Sequence, residues 1–148
     1  MWLRPVDLKS SSSAWQPGAA PPECDEIADS RFAAVQMLKA QPLCTDAAIA
    51  AIEQLAVLDP AARNDLAAAY ALRASREDRP SDLLNALDTA QQAAAAAPHS
   101  AAAWFNRAVI EESLGLTAEA IESWNVFLKI GNGPHAAEAR QYRDFLTN

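Results

Sequence analysis

Glycine is scarce in this chain of 148 residues, at four, and cysteine is scarcer still, at two. Runs of β-branched residues are absent, so little favours strands. No stretch reaches the roughly 20 apolar residues of a membrane span, and the opening MWLRPVDLKSSSS has no signal-peptide core. No membrane partner is expected. Lys+Arg number 12 against 19 Asp+Glu, for a formal net charge of -7, and no basic cluster stands out. Nucleic acid, which needs a clustered cationic face, is therefore not an expected partner. Cys24 and Cys44 form no CxxC and have no ligand-spaced histidines, which argues against zinc. Export would allow them to pair, but two free thiols in a cytoplasmic protein are the expectation. There is no Gly-rich phosphate loop, and neither cysteine has a histidine base in reach. His99 and His135 each follow a proline in a turn, where an exposed histidine is the default. No catalytic residue, metal or cofactor is expected, and the chain does not read as an enzyme.

What the chain has is alanine, in runs such as Ala93 to Ala97. Alanine is the best helix former and adds little volume, so it favours closely packed helices over a thick core. An all-α fold follows. From Ala101 to Pro134 the sequence AAAWFNRAVIEESLGLTAEAIESWNVFLKIGNGP sets Trp104, Ala108, Gly115, Ala120 and Trp124 in order. A large ring, a small residue for close helix approach, a turn glycine and a second small residue before a ring describe a helix-turn-helix repeat. Stepping back 34 residues places Tyr70 under Trp104, Ala74 under Ala108 and Ala86 under Ala120, with Pro98 closing the unit. There the turn glycine is replaced by Ser81, beside Pro80, which ends one helix while Ser81 caps the next. A weaker third unit, from Asp29 to Ala62, has Phe32 and Ala48 in register and Thr45 as a cap. The four extra residues Arg63 to Leu66 lengthen the following helix, which is expected to start at Asn64 or Asp65.

This pattern resembles the tetratricopeptide (TPR) repeat. It implies a right-handed solenoid of about three helix pairs, with repeats near 29–62, 67–100 and 101–134 and a capping helix at 135–148. The cap carries Ala139, Tyr142, Phe145 and Leu146 on one stripe. Residues 1–28, rich in Ser and Pro, read as a flexible segment ahead of a 29–148 domain. Within that segment, Trp2 and Trp15 either pack on the helical body or hook a partner. The run from Asp65 to Tyr70, with Arg79-Pro80 and Phe105 to Ala108, is similar to the TPR region preceding the peptidase domain of bacterial CHAT proteins. That likeness implies a sensor or docking segment whose effector domain would lie downstream.

The concave face of such a stack is lined by the first helix of each pair. Met37, Ala71, Ser75, Phe105, Asn106, Val109 and Glu112 are the expected protein-binding residues, with Phe105 as anchor and Asn106 gripping a peptide backbone. The partner expected there is a protein or peptide segment. The alternative is a structural spacer or oligomerisation unit with no groove ligand. Arg73 and Arg107 recur at 34 residues, each with a glutamate four on, Glu77 and Glu111. They suggest an ion-pair ladder between repeats or an arginine row facing an acidic ligand.

Overall fold

The computed structural model describes residues 1–4, 24, 30–40 and 44–148. Among these residues, seven helices follow one another: α1 (Arg31–Ala40), α2 (Thr45–Ala56), α3 (Pro60–Arg76), α4 (Pro80–Ala96), α5 (Ala101–Ser113), α6 (Thr117–Ile130) and α7 (Pro134–Thr147). The fold is all-α. Each helix packs against the next in sequence, and α3 also touches α1 and α5. None of the described helices is long and apolar enough to cross a membrane.

Helix α3 is the hub. Ala67, Ala68, Ala69 and Ala71 are all fully buried on it, so it has small residues around most of its circumference. A helix that is apolar nearly all round belongs in an interior, and methyl-sized side chains let several neighbours approach its axis at once. Its start differs from the expected Asn64 or Asp65. Asp59 caps it, accepting from the Ala61 amide at 2.9 Å, and Pro60 is its first residue. Proline suits that position because its fixed φ is already helical and the amide hydrogen it lacks has no helical acceptor there. The same physics places Pro80 and Pro134 at the start of α4 and α7. Ser81 is therefore inside α4 and caps nothing, and Thr45 opens α2 with Cys44 before it.

The turns also depart from expectation in one place. Gly115 has φ 74° after α5, and the Leu116 amide reaches back to the Glu111 carbonyl at 2.9 Å. In the preceding hairpin Asp78, with φ 50°, takes the left-handed position, and the Arg79 amide reaches the Ala74 carbonyl at 3.0 Å. Asp78, and not Ser81, is thus the counterpart of the turn glycine. A short polar side chain tolerates that conformation better than most.

The aromatic core lies between α5, α6 and α7. Phe105, Trp124 and Phe127 are fully buried, and Phe105 meets the other two edge-on at 4.9 and 5.3 Å between ring centres. Ala108 and Ala120 are fully buried beside them, whereas Trp104 is only half-buried. Its indole donates to the Pro98 carbonyl at 2.9 Å, and the Arg107 guanidinium sits over its ring.

Cys24 and Cys44 are joined in a disulfide with Cα atoms 5.5 Å apart. The expectation of two free thiols is corrected: their separation suits a bond, and Cys44 is buried at the start of α2. Residues Ser10 to Ser13 and Trp15 lie outside the described residues, as does the turn at Pro42.

Candidate functional site

The first four residues depart from the expected flexible segment 1–28. Leu3 is 1% exposed and belongs to the main core cluster, although its nearest sequence neighbours are polar or aromatic. What holds Met1 to Leu3 is a row of polar side chains on α3 and α5. The Met1 ammonium pairs with Asp65, whose other oxygen takes Arg31 Nη1 at 3.1 Å. Asn106 Oδ1 accepts from the Leu3 amide at 2.7 Å, and Asn106 Nδ2 donates to the Met1 carbonyl at 2.7 Å. Asn64 Nδ2 donates to that same carbonyl at 3.3 Å. The second Asn106 contact sets its orientation, since Nδ2 also donates to Asn64 Oδ1 at 3.0 Å.

These bonds have a simple geometric logic. In an extended chain the carbonyl of one residue and the amide of the residue two further on face the same side. A single primary amide can bridge them, and Asn106 does so around Trp2. This contact reads backbone and is indifferent to the enclosed side chain. Asp65 is 1% exposed and Asn106 is fully buried, so each bond is made in a poorly hydrated setting where a missing partner is costly.

Side-chain recognition comes from the rings. Trp2 stacks on His135 at 4.3 Å with planes 9° apart, and it meets Phe105 and Phe127 edge-on at 5.2 and 6.0 Å. His135 is therefore half-buried and engaged, not the exposed turn histidine expected; its Nδ1 lies 3.7 Å from Glu138 Oε2. His99 is exposed. Trp2 is still 36% exposed, so its slot is open on one side, whereas the Leu3 site is closed.

Of the expected binding residues, Phe105 and Asn106 meet at this segment. Phe105 is fully buried and acts as wall and core together, not as a free anchor. Ala71 and Val109 lie in the core, Met37 packs partly against it, and Ser75 and Glu112 are half-buried. Sequence reasoning missed Asn64, Asp65 and His135 as site residues and Leu3 as core, whereas Trp2 packs on the helical body, one of the two roles expected of it. The one available signal was a polar pair, Asn64-Asp65, directly ahead of an otherwise apolar stretch of α3.

The arginines have internal partners. Arg73 grips Asp82 through Nε at 2.7 Å and Nη2 at 2.9 Å, while Nη1 holds Asp46 at 2.8 Å. This fork raises the guanidinium's pKa further and, chiefly through its hydrogen bonds, holds the Asp82 carboxyl below the usual carboxylate range. Arg107 bonds Glu111 at 2.7 Å on its own helix, and that fully buried carboxylate also takes the Ser123 hydroxyl from α6 at 2.6 Å. Glu77 is exposed and meets Arg79. The expected ladder and arginine row are thus replaced by two separate clusters, each tying neighbouring helices.

Among the described residues no three His, Cys, Asp or Glu side chains are grouped so as to hold a metal ion. What the α3–α5 face offers is a backbone-reading amide, a buried carboxylate, a ring slot and a closed aliphatic site. Compared with known proteins, the chain matches no family model, no curated protein and no solved structure.

Proposed function

We propose that the chain is a non-catalytic protein-interaction module, a stack of TPR-type helical hairpins that binds an extended peptide segment on the face built by α3 and α5. The observation that carries this reading is the Asn106 amide bridging the Met1 carbonyl and the Leu3 amide, both at 2.7 Å. A side chain that grips main chain on both sides of one residue is suited to holding a peptide of varied sequence, and the buried Asp65 beside it adds charge selection. The packing of α3 on both α1 and α5 supports the hairpin-stack reading, because first helices of successive pairs line one surface in such a stack. The resemblance to CHAT-associated repeats extends it to a sensor or docking unit of a CHAT-type protease system, which co-purification with such a peptidase domain tests. The Cys24–Cys44 bond favours an oxidising compartment over the cytoplasm.

The test is selection of peptides from a displayed random library on the full chain, with Asn106→Asp as counter-screen. That change keeps the size and an acceptor but removes the donor to the ligand carbonyl. Enriched peptides should bind the variant at least about tenfold more weakly, the worth of one well-made buried bond. Equal binding to both proteins would move the site elsewhere. A second reading, a spacer or oligomerisation unit, draws on the fact that Met1–Leu3 already fills this face; it predicts that no peptide is enriched.

A further inference from the structure

Helix α1 is the element that the rest of the fold holds least. It has 10 residues and packs chiefly on α2, with a lighter contact to α3. A helix of that length is marginal on its own, so docking alone keeps it formed. Its buried side chains are Ala34, Val35 and Leu38, while Phe32 is 72% exposed. Two polar ties reach α3: Arg31 Nη1 meets Asp65 Oδ2 at 3.1 Å, and Arg76 Nη1 donates to the Leu38 carbonyl at 2.9 Å. This is modest burial to set against the entropy of ordering the whole helix. We infer that the Cys24–Cys44 bond is a redox clasp for α1: closed, it keeps α1 docked, and opened by a dithiol reductant, it lets α1 leave while α2 to α7 stay folded.

The bond joins cysteines 20 residues apart in sequence, and α1 lies inside the loop that it closes. Loop-closure entropy depends on the number of residues enclosed and not on their conformation. A loop of this size disfavours the undocked, open chain by a factor on the order of a hundred. Breaking the bond returns that factor to the undocked form.

Access decides how the bond is opened. Cys44 is 1% exposed, whereas Cys24 is half-buried, so an incoming thiolate reaches the Cys24 sulfur. The sulfur–sulfur bond breaks as a mixed disulfide forms on Cys24, and Cys44 departs as a thiolate and takes up a proton. Cys44 stands immediately ahead of α2, where helix amides favour the departing anion. The nearby Asp46 opposes it less than an isolated carboxylate would, because Arg73 holds it at 2.8 Å. The second thiol of the reductant then closes on the first and releases Cys24 as a thiol. Two electrons and two protons pass from the dithiol to the protein disulfide, and the reductant leaves as a disulfide.

The change reaches α3 through the same two ties. When α1 leaves, Arg31 is withdrawn from Asp65 and Arg76 loses the Leu38 carbonyl, so the redox state of one bond alters the surroundings of a buried carboxylate on the central helix.

The experiment uses the full chain labelled with nitrogen-15 in three forms: oxidised, reduced with dithiothreitol, and Cys24→Ser, which lacks the bond without any reductant. Amide signals of Ala34, Val35 and Leu38 report α1, and those of Phe105, Val109 and Phe127 report the body. Reduction should raise the ratio of undocked to docked α1 at least about tenfold, moving the α1 signals toward unstructured positions while the body signals hold. Cys24→Ser should match the reduced chain, and reoxidation should restore the first spectrum. Unchanged α1 signals in both bond-free forms would overturn the clasp. Loss of α1 and body signals together would make the bond a staple of the whole fold and overturn it equally. A bond that dithiothreitol cuts only once urea has unfolded the chain would overturn the open route to Cys24.

Discussion

Leu3→Ala should release the N-terminal segment while leaving the helical body folded. Burying a leucine contributes about 2 kcal/mol. The two bonds to Asn106 add about 1 kcal/mol each, the charged bond to Asp65 about 2 kcal/mol, and the partly buried Trp2 ring about 2 kcal/mol. Against this, fixing the backbone of Met1 to Leu3 costs roughly 3–6 kcal/mol, and side-chain ordering adds to it. Docking is therefore balanced within a few kcal/mol, and the segment sits near the point of release. Removing the leucine side chain takes away about 2 kcal/mol, a roughly thirtyfold shift toward the open form. The loss of global stability is capped by the docking energy, because a helical body that can shed the segment loses no more than that. It should fall short of the 2–5 kcal/mol typical of Leu→Ala in a core. The side-chain amide signals of Asn106 report docking directly in nitrogen–proton correlation spectra, and thermal unfolding reports the body. Unchanged Asn106 signals would mean that Leu3 does not hold the segment. A loss of stability approaching 5 kcal/mol would mean that the segment is an inseparable part of the core.

Two further outcomes follow from local geometry and charge. In Gly131→Ala the added carbon would lie 2.5 Å from Phe127 Cε2, 2.7 Å from Cζ and 2.9 Å from the Phe127 carbonyl oxygen; with that ring fully buried the change should destabilise by on the order of 1–3 kcal/mol, and an unchanged denaturation midpoint would refute it. Because Arg73 lowers the Asp82 pKa below its ordinary 3.8, the stability this pair contributes is complete above that pH and lost as pH falls through the lower folded value. Asp82→Asn should therefore cost about 2 kcal/mol at pH 7 and flatten the acid limb of the stability curve, whereas parallel curves for the two proteins would assign acid sensitivity to other groups.

The fold was legible where residue type and spacing coincide. Gly115, Ala108, Ala120 and Trp124 each meet a demand that few residues satisfy, a left-handed turn or a tight crossing or a large ring, and they lie where that demand arises. Prolines misled, since Pro80 reads equally as the stop of one helix and the first residue of the next, and what decides it is that the preceding helix already ends at Arg76, with three turn residues before Pro80. Asp78 was hidden for a related reason: an aspartate in a turn carries no mark of positive φ, unlike glycine. At the site, Asn106 could be read because an amide within an apolar helix needs partners. Asp65 could not, since its helix begins five residues before it and not at it. His135 and Trp2 identify each other only through a contact 133 residues apart in sequence, which no periodicity encodes.

Two buried carboxylates explain why the peptide site is proposed on this face and not at the arginine clusters. Glu111 is satisfied by Arg107 from its own helix and Ser123 from the next, so its partners move only if α5 and α6 separate. That cluster is committed to the fold, and breaking it would cost several kcal/mol with nothing to replace it. Asp65 is buried to the same degree, yet one of its two cations comes from a segment whose docking is nearly balanced. When Met1 to Leu3 leave, water reaches Asp65, Asn64 and Asn106 together, so each polar group exchanges one set of partners for another and none is stranded. The penalty that makes Glu111 a fixed internal tie is thereby absent at Asp65. Polar groups that are fully satisfied with the segment in place, and solvated once it departs, can exchange one peptide for another, and this is the property that a binding surface needs.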